Sequence, residues 1–184
     1  LGLTAVNGQP APMARDVIDH LPTNEQRSLR QELFGTESPE ERAEYVAAFD
    51  FILDMLARLH KEGVLLLPGT DLGGSFAYHR ELELFETIGL SPAEVLRRAS
   101  YDMAQYLGQD EDLGSIEKGK YADFFLVPGD PTESLKQLRQ IRMVVSDGVV
   151  YFPSEIYPAF GIRPFAGPPQ VIVPAGESAA NAER

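Results

Sequence analysis

The sequence predicts an α/β fold, and three observations carry that expectation. Gly63-Val64-Leu65-Leu66-Leu67-Pro68-Gly69 is a short apolar run closed by turn residues, the pattern of a strand buried on both faces of a parallel sheet. Long helical patterns flank it, and the order strand, loop, helix, helix is that of an α/β unit, in which a covering helix follows a parallel strand. Near residue 110 the texture changes, and short β-rich runs replace the helices.

Taken in order, residues 1–21 carry Gly8, Pro10 and Pro12 without clear periodicity and read as loop, with a turn of helix around residues 13–18. Thr23 followed by Gln26 has the form of a capping box for a short helix reaching Phe34, which Gly35 would end. Ser38-Pro39-Glu40-Glu41 is a stronger start, with Ser as N-cap, Pro at the first helical position and Glu at the third. The helix it opens repeats Tyr45, Phe49, Ile52, Leu53, Leu56 and Leu59 at spacings of three and four, so one stripe should face a core, and Gly63 closes it.

After the strand at residues 64–68 come Asp71, the glycines Gly73 and Gly74, and a short helix marked by Leu82, Phe85 and Ile88 and ended by Gly89. Ser91-Pro92-Ala93-Glu94 repeats the start signal for a helix presenting Val95, Leu96, Ala99, Met103 and Tyr106, with Gly108 as its stop. Strands are expected at residues 123–127, 142–146 and 149–152. Asp147-Gly148 joins the last two as a hairpin turn, since both residues tolerate positive φ. From Pro153 onward, recurring prolines break regular structure, so the tail should be extended, docked on a neighbour or disordered.

At 184 residues and 43% hydrophobic, the chain can bury a sizeable core. No apolar run approaches the roughly 20 residues of a membrane helix, so no membrane span is expected. The net charge of -12 argues against a phosphate-backbone partner, so no nucleic acid is expected either. Without cysteine there is no disulfide, thiolate ligand or Cys nucleophile, and the compartment stays open. The chain opens on Leu1 rather than an initiator Met, which suggests a piece of something longer.

Asp71 is the first functional candidate. It follows the carboxyl end of the expected strand, the edge at which α/β barrels display catalytic groups on loops. Asp is also a common turn residue, and this stretch alone leaves both readings open. Gly73-Gly74 is no phosphate loop, because no Lys-Ser/Thr pair follows and no GxGxxG pattern exists. His20, His60 and His79 form neither a His-x-His pair nor an i, i+4 pair, so no complete metal site can be written from this chain. His60 ends the long helix, where a cation suits the dipole. His79 lies eight residues after Asp71, on the loop or at the helix start.

Five motifs in order carry a resemblance: Gly63-Val64 to Asp71; His79-Arg80-Glu81-Leu82; Gly89-Leu90-Ser91-Pro92-Ala93-Glu94; Leu113-Gly114-Ser115-Ile116-Glu117-Lys118-Gly119-Lys120-Tyr121-Ala122-Asp123; and Val145-Ser146-Asp147-Gly148. Over roughly residues 50–152 the chain resembles the carboxyl-terminal part of amidohydrolase-superfamily enzymes, in the branch of imidazolonepropionase-like hydrolases and prolidases. The resemblance implies the last strand and helices of a metal-dependent (β/α)8 barrel plus part of a small β-sandwich, incomplete by itself. Residues 1–109 would be the barrel portion, 110–152 the sandwich portion and 153–184 a Pro-rich tail.

By the same resemblance Asp71 is catalytic: it ligates a divalent metal, zinc as one or two ions, and exchanges a proton with the hydrolytic water. His79 would contact substrate, and Asp123 would cap or pair locally. The implied activity is hydrolysis of an amide or peptide-like C–N bond, on a small amide or dipeptide-like substrate, with the amino-terminal remainder of the protein as partner and a homo-oligomer as an open possibility. The His-x-His, bridging lysine and later histidines of the family have no counterparts here. A non-catalytic fragment or assembly piece is therefore the alternative.

Overall fold

The computed structural model describes residue 5 and residues 9–31, 38–71 and 75–170. Phe34 and Gly35, the glycines Gly73 and Gly74 and the last part of the tail lie outside the described residues, and the first helix, expected to run through Phe34, already stops at Ser28. Helix α1 (Thr23–Ser28) lacks the expected capping box: Pro22 occupies the N-cap position without a side-chain cap, and Gln26 donates instead to the Leu21 carbonyl at 2.8 Å. Helix α2 (Pro39–Lys61) starts as its sequence dictates, with the Ser38 hydroxyl accepting from the Glu41 N–H at 3.1 Å, and ends before Gly63 at φ 81°.

Helix α3 (Ser75–Thr87) is the hub. Its Leu82 and Phe85 pack with Ile88 and Leu90, with Val95 of α4 (Pro92–Arg97), and with Leu135 and Leu138 of a 3-10 turn at Leu135–Arg139. Ser91 and Glu94 close a reciprocal capping box at the start of α4. The helix does not run uniformly to Tyr106: a π turn at Arg98–Asp102 separates α4 from α5 (Met103–Tyr106). Asp102 is buried at that turn and takes Arg97 at 3.0 Å and Arg98 at 2.6 Å, which supplies partners for a carboxylate that burial would otherwise penalise.

The α2 stripe meets the core only in part. Leu53, Leu56 and Ala57 pack against it, whereas Tyr45, Phe51, Ile52 and Met55 are exposed and none of the 23 residues is buried. Residues 64–68 correct the expectation of a doubly buried strand. They run extended without strand pairing, Val64 and Leu65 are exposed, Leu66 packs on the core and Pro68 is buried. A parallel strand needs ladder partners, and among the described residues none lies beside this segment.

The β-rich part forms one antiparallel sheet, β1 (Phe124–Leu126), β2 (Met143–Ser146) and β3 (Val149–Tyr151), in that order. Asp147 at φ 50° and Gly148 at φ 74° make the two-residue turn expected of Asp-Gly. Asp123 pairs locally, its Oδ1 accepting from the Asp147 N–H at 2.9 Å. Lys120 closes the loop before β1 by donating to the Asp110 carbonyl at 2.5 Å and the Ser115 hydroxyl at 2.6 Å. Phe125, Leu126, Val149, Val150 and Tyr151 remain exposed.

The tail keeps more regularity than its prolines suggest. Pro153 and Pro158 stand in the first turns of α6 (Pro153–Ile156) and of a 3-10 turn at Tyr157–Phe160, where a missing N–H breaks no helical bond.

Candidate active site

The segment that leads to the candidate carboxylate is anchored from below. Pro68 is buried, and the backbone of Gly69 hydrogen-bonds to Glu81 on the second turn of α3. Burial raises the Glu81 pKa and this hydrogen bond opposes the rise. Two residues on, Asp71 is exposed and has no hydrogen-bond or ion-pair partner among the described residues. A carboxylate without a partner among the described residues, on a segment held by its own neighbours, is available to a cation.

His79 lies inside α3 rather than on a loop, one turn beyond the helix start. Its Nδ1 is buried without a hydrogen-bond partner among the described residues. Burial lowers its pKa first, the Arg139 guanidinium lowers it further, and Glu83 opposes both, so the imidazole is neutral near pH 7. Asp71 is not among the charges that act on it. Among the described residues no hydrogen bond or ion pair joins the two sequence-derived site residues.

His79 belongs instead to a charged junction of three chain segments. Arg139 is buried and donates to Glu83 of α3 and, at 3.2 Å, to Asp16 of the N-terminal segment. Lys136 reaches Asp16 at 3.1 Å, and Arg80 reaches Glu83 at 3.1 Å. Sequence reading missed this junction. Arg80 and Glu83 stand at i, i+3 and are legible as a helical pair, but Arg139 lies 56 residues from Glu83 and 123 from Asp16, beyond any local pattern.

Among the described residues no three His, Asp or Glu side chains converge as a metal ion would require. Asp71 is a suitable single oxygen donor, whereas the cation fixed beside His79 disfavours a second one there. The described residues therefore do not fit a metal on their own, and a complete ligand set would draw on groups outside them.

Residues 22–151 match the family model of the amidohydrolase family. Among solved structures, a Xaa-Pro dipeptidase with methionine bound in its active site superimposes with a TM-score of 0.54 and 28% identity, over 62% of this chain and 29% of that one. An amidohydrolase superimposes with a TM-score of 0.52 and 28% identity, over 74% of this chain and 32% of that one. No curated protein matches significantly. The chain spans about a third of the length of these structures, 29% and 32%, and fits a partial TIM-barrel-type α/β fold with a small sheet. The matched stretch runs from α1 through the hairpin and includes Asp71, the α3 junction apart from Asp16, and every motif that carried the resemblance. The chain belongs to the amidohydrolase family and has a prolidase-like relationship within it.

Proposed function

We propose that this chain is the carboxyl-terminal part of a hydrolase that cleaves an amide or dipeptide-like C–N bond, with Asp71 as its catalytic carboxylate. The observation that carries the reading is the state of Asp71 in a chain of this family: exposed, unpaired among the described residues, and placed just past an apolar segment tied down at Pro68 and Gly69. Such a carboxylate accepts the proton of an attacking water and returns it to the leaving amine, the two halves of general base and general acid work. A divalent metal such as zinc, with Asp71 as one oxygen ligand and the others from the amino-terminal remainder, would supply an acidified water. That remainder would also cover the exposed face of α2 and residues 64–65, complete the barrel begun by residues 1–109, and add the strands that residues 110–152 lack for a sandwich. His79, neutral and with a free Nδ1, contributes a hydrogen bond at the substrate's edge.

The test is Asp71→Asn in the full-length enzyme. The substitution keeps the shape and removes the charge and the proton acceptor, so kcat should fall by about 10² to 10⁴. Because Asp71 has no described partner, the melting temperature should stay put. Turnover at the wild-type level would remove Asp71 from the chemistry and favour the reading of a non-catalytic piece.

A further inference from the structure

Beside the start of α3 the tail walls a cavity. It measures about 630 Å³ and lies between Met13 and Leu29 of the N-terminal part, Phe76 and Ala77 of α3, and Phe160 and Ile162 of the tail. That volume is in the range of small-molecule sites, which are mostly apolar with a few polar groups; among the described residues, the ionisable or amide side chains in the lining are Asn24 and Glu25.

The tail wall is fixed rather than draped. The Arg163 N–H donates to the His20 carbonyl at 2.7 Å, and His20 Nδ1 meets the Arg163 carbonyl at 2.8 Å. Phe165 stacks on His20 with ring centroids 4.0 Å apart and meets Phe76 edge-on at 6.0 Å. A Cβ at Gly161 would stand 3.3 Å from Pro22 Cγ, and Gly161 has φ 69°, so glycine lets the tail turn tightly there. That turn holds the Phe160 ring out at the rim, 68% exposed. Phe76 is five residues beyond Asp71, a length of chain that reaches at most about 18 Å.

We propose that this cavity is a specificity pocket that takes an apolar or aromatic side chain of the amide substrate, next to the bond that Asp71 helps to break. The pocket's apolar lining matches that class, and its aromatic rim adds ring contacts to simple burial. The proposal rests on the hydrolase reading above and deepens it by naming the substrate's side-chain class.

The experiment uses the full-length enzyme and two dipeptide pairs, Gly-Pro with Phe-Pro and Ala-Gly with Ala-Phe, which vary the residue on either side of the bond. Hydrolysis is read as kcat/KM, and binding of the same dipeptides is read by calorimetry. In one pair the Phe member should be favoured by about tenfold or more, since even a single methylene in an apolar pocket is worth about tenfold. Ile162→Trp, which fills the cavity, and Phe160→Ala, which strips the rim, should each bring that ratio below about threefold. A ratio of two substrates on one enzyme is insensitive to the fraction folded.

No Phe preference in the wild type, or a preference that survives both variants, overturns the pocket and leaves hydrolysis standing. Phe-selective binding that Ile162→Trp abolishes, without hydrolysis of any dipeptide, keeps the pocket and overturns the hydrolase reading. Neither binding nor hydrolysis overturns both.

Discussion

His20 and Arg163 hold each other through two hydrogen bonds across 143 residues, backbone to backbone at 2.7 Å and ring to backbone at 2.8 Å. A carbonyl only accepts, so His20 Nδ1 carries the proton. Replacing His20 by Ala removes the ring bond and the stack on Phe165 while leaving the backbone pair. The expected loss is about 1–2 kcal/mol in urea unfolding, with faster protease cleavage in the 157–165 segment.

Arg139 and Lys136 both bind Asp16, yet their removal should differ greatly. Arg139 is buried between Asp16 and Glu83, and Arg139→Ala leaves the largely enclosed Glu83 with Arg80 and Asp16 with Lys136; about 2–3 kcal/mol should be lost. The Lys136 side chain is 69% exposed, and Lys136→Ala should cost under about 1 kcal/mol. Denaturant midpoints of the two variants at equal slope would measure the contrast.

Acid should weaken the junction through His79. Its folded-state pKa lies below the ordinary 6.5, so the unfolded chain takes up a proton first as pH falls. The stability His79 contributes is complete above pH 6.5 and is lost as pH falls from there through the lower folded value. Glu81 runs the other way: its raised pKa gives stability that is present below the ordinary 4.5 and is lost as pH rises through the folded value. Unfolding curves at pH 7.5 and 5.5 should show a drop in the wild type and a smaller one in His79→Gln.

Two glycines offer a contrast in how neighbours yield. At Gly114, φ is 84° and a Cβ would meet Ala104 Cβ at 2.6 Å and the Tyr101 backbone at 3.0 Å. Helix backbone and a short side chain cannot move aside, so Gly114→Ala should cost about 2–4 kcal/mol. At Gly129 the obstruction is the end of the Gln137 side chain at 2.5 Å, which can swing away. Gly129→Ala should cost under about 1 kcal/mol, as thermal melts of both variants would show.

What the sequence made legible follows from the range of the forces involved. Caps and turns depend on residues within four positions, and so Ser38, Ser91 and Asp147-Gly148 could be read directly. Residues 64–68 do not form the strand expected of them, because an apolar run specifies that a segment wants burial without specifying what buries it, and no ladder partner stands beside them among the described residues. Asp71 stands out as a candidate by its place at the end of that run. The Arg139 junction, the Asp102 cradle and the return of the tail to His20 depend on charge and shape complementarity between distant segments, which no periodicity encodes.

Helix α2 keeps every side chain at least partly wet, and this has a consequence for time rather than for shape. A segment that breaks little core when it opens can fray and reclose on its own, and its amide hydrogens exchange with deuterium at a rate set by that local equilibrium. The amides of α3, locked under Leu82, Phe85 and Arg139, wait for a far rarer opening. One polypeptide therefore holds a fast exchanger and a slow one joined by residues 62–74. Any surface that settles on Phe51, Ile52 and Met55 would slow the first toward the second, so deuterium uptake in α2 reads out assembly directly.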